Sequence, residues 1–191
     1  MRARLALHVS GVEVSLREVV LRDKPQAFLR VSPSATVPCL VSQDQVLDES
    51  LDIMVWALRK YDPQGWLKMP SGGWDWIEQC DGPFKLALDR TKYPTRYPDE
   101  NPAEHREKAL AFLANPDQHM GEWIFDHPTI ADFAVLPFVR QFAFVDKPDF
   151  DSQNLPKIQG WLERFLESTR FLAIMKKYPQ WREGEAAPAF P

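Results

Sequence analysis

Residues 36–50 read TVPCLVSQDQVLDES. Val37-Pro38-Cys39-Leu40-Val41 is an apolar run with proline at its mouth, where a strand tolerates a residue that cannot donate to the ladder. Gln43–Gln45 reads as a tight polar turn and Val46–Leu47 as a short return strand. Asp48-Glu49-Ser50 then opens a helix whose apolar positions Leu51, Val55 and Leu58 recur at helical spacing, broadened by Ile53, Met54 and Trp56.

Upstream of this strand–turn–strand–helix, Arg2–Ser10 carries a helical stripe through Leu5 and Val9. Gly11 follows as a C′ residue, but no Ser, Thr, Asp or Asn precedes the helix as an N-cap. Val12, Val14 and Leu16 alternate with Glu13, Ser15 and Arg17, the period of a half-buried strand. Pro25 suits the first turn of a short helix over Gln26–Val31, and Ser32-Pro33-Ser34 is a turn. Residues 1–62 therefore read α-β-α-β-β-α. Beyond a Pro- and Gly-containing linker at Pro63–Gly73, everything reads helical. One helix spans Gly73–Arg90 and is bent near Gly82-Pro83. Others span Pro102–Ala114, Thr129–Phe144, Leu155–Glu167 and Phe171–Lys177. The tail Gly184–Pro191 reads as disordered or draped over the surface. Such an order, a small α/β part followed by an all-α part, is that of two domains, residues 1–63 and 70–191.

The 191 residues are enough to bury a core without staples. A net charge of −4 argues against nucleic acid and anionic membrane surfaces as partners. No apolar run reaches the ~18 residues of a membrane span. Two cysteines, Cys39 and Cys80, form neither a disulfide framework nor a CxxC pair, which fits a reducing cytoplasm. His8, His105, His119 and His127 lack metal-ligand spacing and read as surface or capping residues, so no metal is expected.

Four segments could carry chemistry. At Val37-Pro38 the X-Pro bond is either cis, turning the Val37 backbone outward toward a peptide-like ligand, or trans in an edge strand. Glu49-Ser50 at a helix start offers free N–H groups and a hydroxyl to a carboxylate, and Glu49 to an ammonium; the other reading is plain capping, with Asp48 as N-cap. Thr129-Ile130-Ala131-Asp132 has the form of a capping box and is assigned to folding. Asp89–Tyr97 interleaves cations and tyrosines, either as a pocket wall or as a solvated loop. Cys39 reads as an inert thiol.

In this order and spacing these segments resemble the cytosolic glutathione S-transferase family, over nearly the whole chain. The carriers are Ser32-Pro33, Thr36-Val37-Pro38-Cys39-Leu40, Asp48-Glu49-Ser50 and Thr129-Ile130-Ala131-Asp132. The resemblance implies an α/β plus all-α architecture: a thioredoxin-like N-terminal domain followed by a helical bundle. It implies glutathione as co-substrate. Val37, before a cis-Pro38, would pair with the cysteinyl part, and Glu49 and Ser50 would hold the γ-glutamyl end. Asp23-Lys24-Pro25 is similar to the omega-class segment in which a lysine reaches the glycine carboxylate, so Lys24 joins the set. Arg2–Leu7 is similar to the first helix of omega-like bacterial members.

In those members a strand and a Cys-Pro-x-x segment precede that helix. The sequence as numbered lacks both, so the expectation is either a start at an internal methionine, with the catalytic residue upstream of Met1, or a remodelled N-terminus. The expected activity is transfer of glutathione to an electrophile or reduction of a mixed disulfide by a homodimer. The alternative is a non-catalytic glutathione-binding or scaffold protein. Phe84, Arg90, Tyr93, Arg96 and Tyr97 are the expected lining for the second substrate.

Overall fold

The computed structural model describes residues 1–43 and 45–191. Asp44, in the turn expected over Gln43–Gln45, lies outside the described residues. The chain forms two compact units: Met1–Leu67 together with Thr169–Pro191, and Lys68–Ser168.

In the first unit the order expected from the sequence is found: α1 (Arg2–Ser10), β1 (Val14–Ser15), α2 (Gln26–Val31), β2 (Leu40–Val41), β3 (Val46–Leu47) and α3 (Ser50–Lys60). α1 ends at Gly11 with φ 63°, the left-handed geometry that glycine adopts without a Cβ penalty. β2 and β3 pair antiparallel, Leu40 opposite Leu47. α1 packs along α3. Leu5, Ala6, Ile53, Met54, Ala57 and Leu58 are buried between them at 0–1% exposure, the apolar stripe of each helix turned inward.

The chain's last stretch groups with this unit, although the sequence reading ran the helical domain to residue 191. α10 (Thr169–Ile174) packs on α1, and β4 (Ala189–Phe190) pairs antiparallel with β1 in the register Val14 to Phe190. The tail is thus ordered rather than loose. Its aromatic residues explain why: Phe190 is buried, Trp181 nearly so, and Tyr178 meets Phe190 edge-on at 6.5 Å. Arg4 of α1 fastens the same stretch. It donates to the carbonyls of Ile174 and Lys176, pairs with Glu18, and lies over the rings of Tyr178 and Phe190. Trp181 N–H donates to Glu18 O at 3.0 Å and Leu16 N–H to Pro188 O at 2.8 Å.

The second unit is helical. α4 (Gly72–Gln79) and α5 (Lys85–Lys92) are joined by a wide π turn over Cys80–Phe84. Gly82-Pro83, where the bend was expected, lies in that turn; proline has no N–H to give to the ladder. α6 (Pro102–His119) runs one turn past the expected end at Ala114, through a buried Pro116. α7 (Ile130–Ala143), a short α8 (Lys147–Ser152) not anticipated from the sequence, and α9 (Pro156–Glu167) complete it. The core is aromatic: Phe84 stacks on Phe112 at 4.6 Å and meets Phe142 edge-on at 5.8 Å, and Phe142 meets Phe150 at 6.3 Å. No helix among the described residues is long and apolar enough to cross a membrane.

Candidate functional site

In the first unit the chain from Ser32 to Ser50 folds back on itself around one side chain. Asp48 is not the N-cap of α3; that place belongs to Glu49. The Asp48 carboxylate instead accepts from Ser32 Oγ at 2.8 Å and from Ser34 N–H at 2.7 Å, and its charge acts on the nearby Cys39 thiol. The Ser32–Ser34 turn, the segment after Pro38 and the start of α3 are therefore brought together. Among the sequence-expected residues this unites Val37-Pro38 with Glu49-Ser50.

The Val37–Pro38 bond is cis. Val37 is 44% exposed, and neither its N–H nor its C=O is hydrogen-bonded among the described residues. Across the cluster, Ile53 N–H closes the first turn of α3 on Glu49 O at 3.1 Å. The N–H groups of Ser50, Leu51 and Asp52 precede that first bond and point out of the helix end. The Glu49 carboxylate and the Ser50 hydroxyl form no hydrogen bond among the described residues. The arrangement presents an extended backbone edge, a set of amide donors with a hydroxyl, and one carboxylate. It can pair with a peptide unit, bind a carboxylate and receive an ammonium.

The titration of the cluster follows from its hydrogen bonds. Burial works to push the Asp48 carboxyl up. The donors from Ser34 backbone, Ser32, Ser34 and Cys39 outweigh it and hold the carboxyl at about 2. Burial, then the hydrogen bond to Asp48 and its negative charge, push the Cys39 thiol up to about 11. Cys39 is therefore a protonated donor at neutral pH, not a nucleophile.

Lys24 stands apart from this cluster. It is half-buried in the turn that leads into α2, where Asp23 N–H closes on Val20 O at 2.9 Å, and it forms no ion pair among the described residues.

In the second unit, Arg90, Tyr93, Arg96 and Tyr97 do come together, but largely with one another. Arg90 pairs with Glu100 at 2.6 Å and lies 4.6 Å over the ring of Tyr97. Arg96 lies 4.4 Å over Tyr93, which Lys92 also approaches at 5.0 Å. Each cation already has an anion or a ring. Phe84 is not beside them as a wall: at 1% exposure it is a core residue stacked on Phe112, because the π turn points it inward. His105, expected at the surface, is buried with Nε2 2.6 Å from the Glu100 carboxylate. Asp132 fulfils the folding role read for it. It accepts from Thr129 N–H at 2.8 Å, Thr129 Oγ1 at 3.1 Å and Ile124 N–H at 2.9 Å.

Two family models fit this architecture. The model "Glutathione S-transferase, N-terminal domain" matches residues 1–65, and "Glutathione S-transferase, C-terminal domain" matches residues 100–164. The chain belongs to the glutathione S-transferase family. Solved glutathione transferases share its fold at low identity. Glutathione transferase Omega 3C from Trametes versicolor is 15% identical, with 94% of this chain and 85% of that chain covered and a TM-score of 0.75. A glutathione transferase from Phanerochaete chrysosporium, solved in complex with oxidized glutathione, is 17% identical over 91% and 88% of the two chains, with a TM-score of 0.73. A glutathione S-transferase from Actinobacillus pleuropneumoniae is 18% identical over 91% and 85%, with a TM-score of 0.68. No curated protein sequence matches significantly. Sequence reading missed Asp48, taking it for a helix cap. No local signal marks it, because Ser32 and Ser34 lie 16 and 14 residues away in the chain.

Proposed function

We propose that the chain binds glutathione on the Ser32–Ser50 cluster and transfers it to an electrophile or uses it to reduce a mixed disulfide. The observation that carries this reading is the start of α3. There Ser50, the free amide donors and Glu49 offer a carboxylate site and an ammonium site side by side, with no internal partner among the described residues. Those are the two charged groups of a γ-glutamyl end. Val37, exposed and unpaired in its backbone, meets the cysteinyl amide, and Lys24 is the residue for the glycine carboxylate. Complexes of family relatives with lactoylglutathione and oxidized glutathione support the choice of ligand. Arg90, Tyr93, Arg96 and Tyr97 are assigned to the electrophile, and Phe84, a core residue, is left out of that set.

The omega-like affiliation is part of the proposal and rests on Asp23-Lys24-Pro25 and Arg2–Leu7. A cytoplasmic location, from two cysteines that form no disulfide framework in the sequence, and a homodimer, from family habit, belong to the proposal as well. A specific observation keeps the non-catalytic alternative in view. The thiol nearest the cluster, Cys39, is pushed up to about 11 by burial and by Asp48, so it stays protonated at neutral pH.

Calorimetric titration of glutathione into the wild-type chain, Ser50→Ala and Glu49→Ala tests the binding. Each substitution removes a charge-assisted hydrogen bond of about 1.5–3 kcal/mol, so affinity is expected to fall by about ten-fold or more. Unchanged affinity in both variants sinks the site. Turnover of chlorodinitrobenzene or of a small mixed disulfide separates the catalytic reading from binding alone.

A further inference from the structure

Asp48 does more for this cluster than any residue on its rim, yet it touches none of the surface assigned to glutathione. Its two oxygens each accept a donor from the turn that leads into the Val37–Pro38 segment, Ser32 Oγ on one and Ser34 N–H on the other. A carboxylate accepts on both oxygens, whereas an amide of the same size offers one oxygen and turns an NH₂ toward the other donor. Ser32 is 4% exposed, so its hydroxyl has no water to fall back on if that acceptor is lost. The backbone of Asp48 continues directly into Glu49 and Ser50, and Cys39 directly follows Pro38.

We propose that Asp48 is the positioning residue of the glutathione surface. Its carboxylate fixes the distance between the Val37–Pro38 backbone edge and the first turn of α3. The cysteinyl and γ-glutamyl parts of one tripeptide can then be met at once. This inference rests on the glutathione reading given above. It adds that affinity for the tripeptide depends on a residue that does not contact it. The thiol of Cys39 reports on the same carboxylate, because losing that neighbouring negative charge makes the thiol easier to ionise, with burial still opposing it.

The test uses the full chain in three forms: wild type, Asp48→Asn and Ser32→Ala. Each is checked for folding by circular dichroism and thermal melting. Glutathione is titrated into each by calorimetry, and the rate of Cys39 alkylation by iodoacetamide at pH 8 is followed by mass spectrometry. The expected result is about a ten-fold loss of glutathione affinity in Asp48→Asn. A smaller loss is expected in Ser32→Ala, and Cys39 alkylation about ten-fold faster in Asp48→Asn. A folded Asp48→Asn chain that binds glutathione within two-fold of wild type overturns the inference and leaves the binding site standing. A wild-type chain that does not bind glutathione overturns both. Should Asp48→Asn fail to fold, Ser32→Ala decides: undiminished affinity overturns the inference.

Discussion

The donors of Ser34 and Ser32 pull the Asp48 carboxyl down while burial, aided by Asp48, pushes the Cys39 thiol up, and the Asp48 shift has a measurable outcome. An ordinary aspartate titrates near 3.9, while in the folded chain Asp48 titrates at about 2. Between these values the unfolded chain binds the proton and the folded chain does not. The contribution of this carboxylate to stability is therefore complete above about pH 4 and is lost as the pH falls toward 2. Urea titrations between pH 5 and 2 should show a shallower acid-side loss of stability in Asp48→Asn than in the wild type. Equal slopes would show that the carboxylate is not held down. At this scale the sequence was legible where a residue acts through its neighbours in the chain. The cis bond at Val37-Pro38 and the helix start at Glu49-Ser50 were each one of two readings the local pattern allowed, and the family resemblance chose between them. Asp48 could not be read locally, because its partners Ser32 and Ser34 meet it only after the hairpin has folded. For the same reason Phe84 looked like a pocket residue: nothing in Gly82-Pro83-Phe84 says which way a π turn points its last side chain.

Among the elements, α7 carries the most explicit start signal. Asp132 is fully buried, and burial raises its carboxyl above the usual range against the donors of Ile124 and Thr129. Replacing it by alanine removes the cap, worth about 1 kcal/mol. It also leaves the Ile124 N–H without an acceptor, a further loss of about 1–3 kcal/mol. Asp132→Ala should therefore lower stability by about 2–4 kcal/mol in chemical denaturation, and Thr129→Ala by about 1 kcal/mol. An Asp132→Ala loss below that of Thr129→Ala would contradict the role given to Ile124. The longer helices were readable from the 3.6-residue period, and the break expected at Gly82-Pro83 falls in the π turn. The end of α6 was not readable. Pro116 looked like a stop, yet near a helix end few intrahelical bonds remain to be lost, and its ring is buried in the bundle.

On the scale of the whole chain, the sequence reading separated an α/β half from a helical half. It could not see that the tail belongs with the first. Pairing of β1 with β4 is a contact between positions far apart in the chain, beyond the reach of any window-based pattern. Deleting residues 186–191 removes β4 and exposes the site of Phe190. Burial of that ring is worth about 1.5–3 kcal/mol, so the truncated chain should melt several degrees lower. An unchanged melting temperature would show that the tail adds nothing. The proposed homodimer is checked by light scattering, which should give twice the 22.1 kDa of one chain.

The first unit is assembled from both ends of the polypeptide, with the helical unit made in between. On the ribosome α1, β1 and α3 emerge early, but α10 and β4 follow only after the next hundred or so residues. At ~5–20 residues per second that is a wait on the order of ten seconds. During it the face of α1 that receives α10, and the β1 edge that receives Ala189 and Phe190, stand uncovered on the nascent chain. Order of synthesis and order of completion are thus inverted: the helical unit is the first that can close, and the unit begun first is the last.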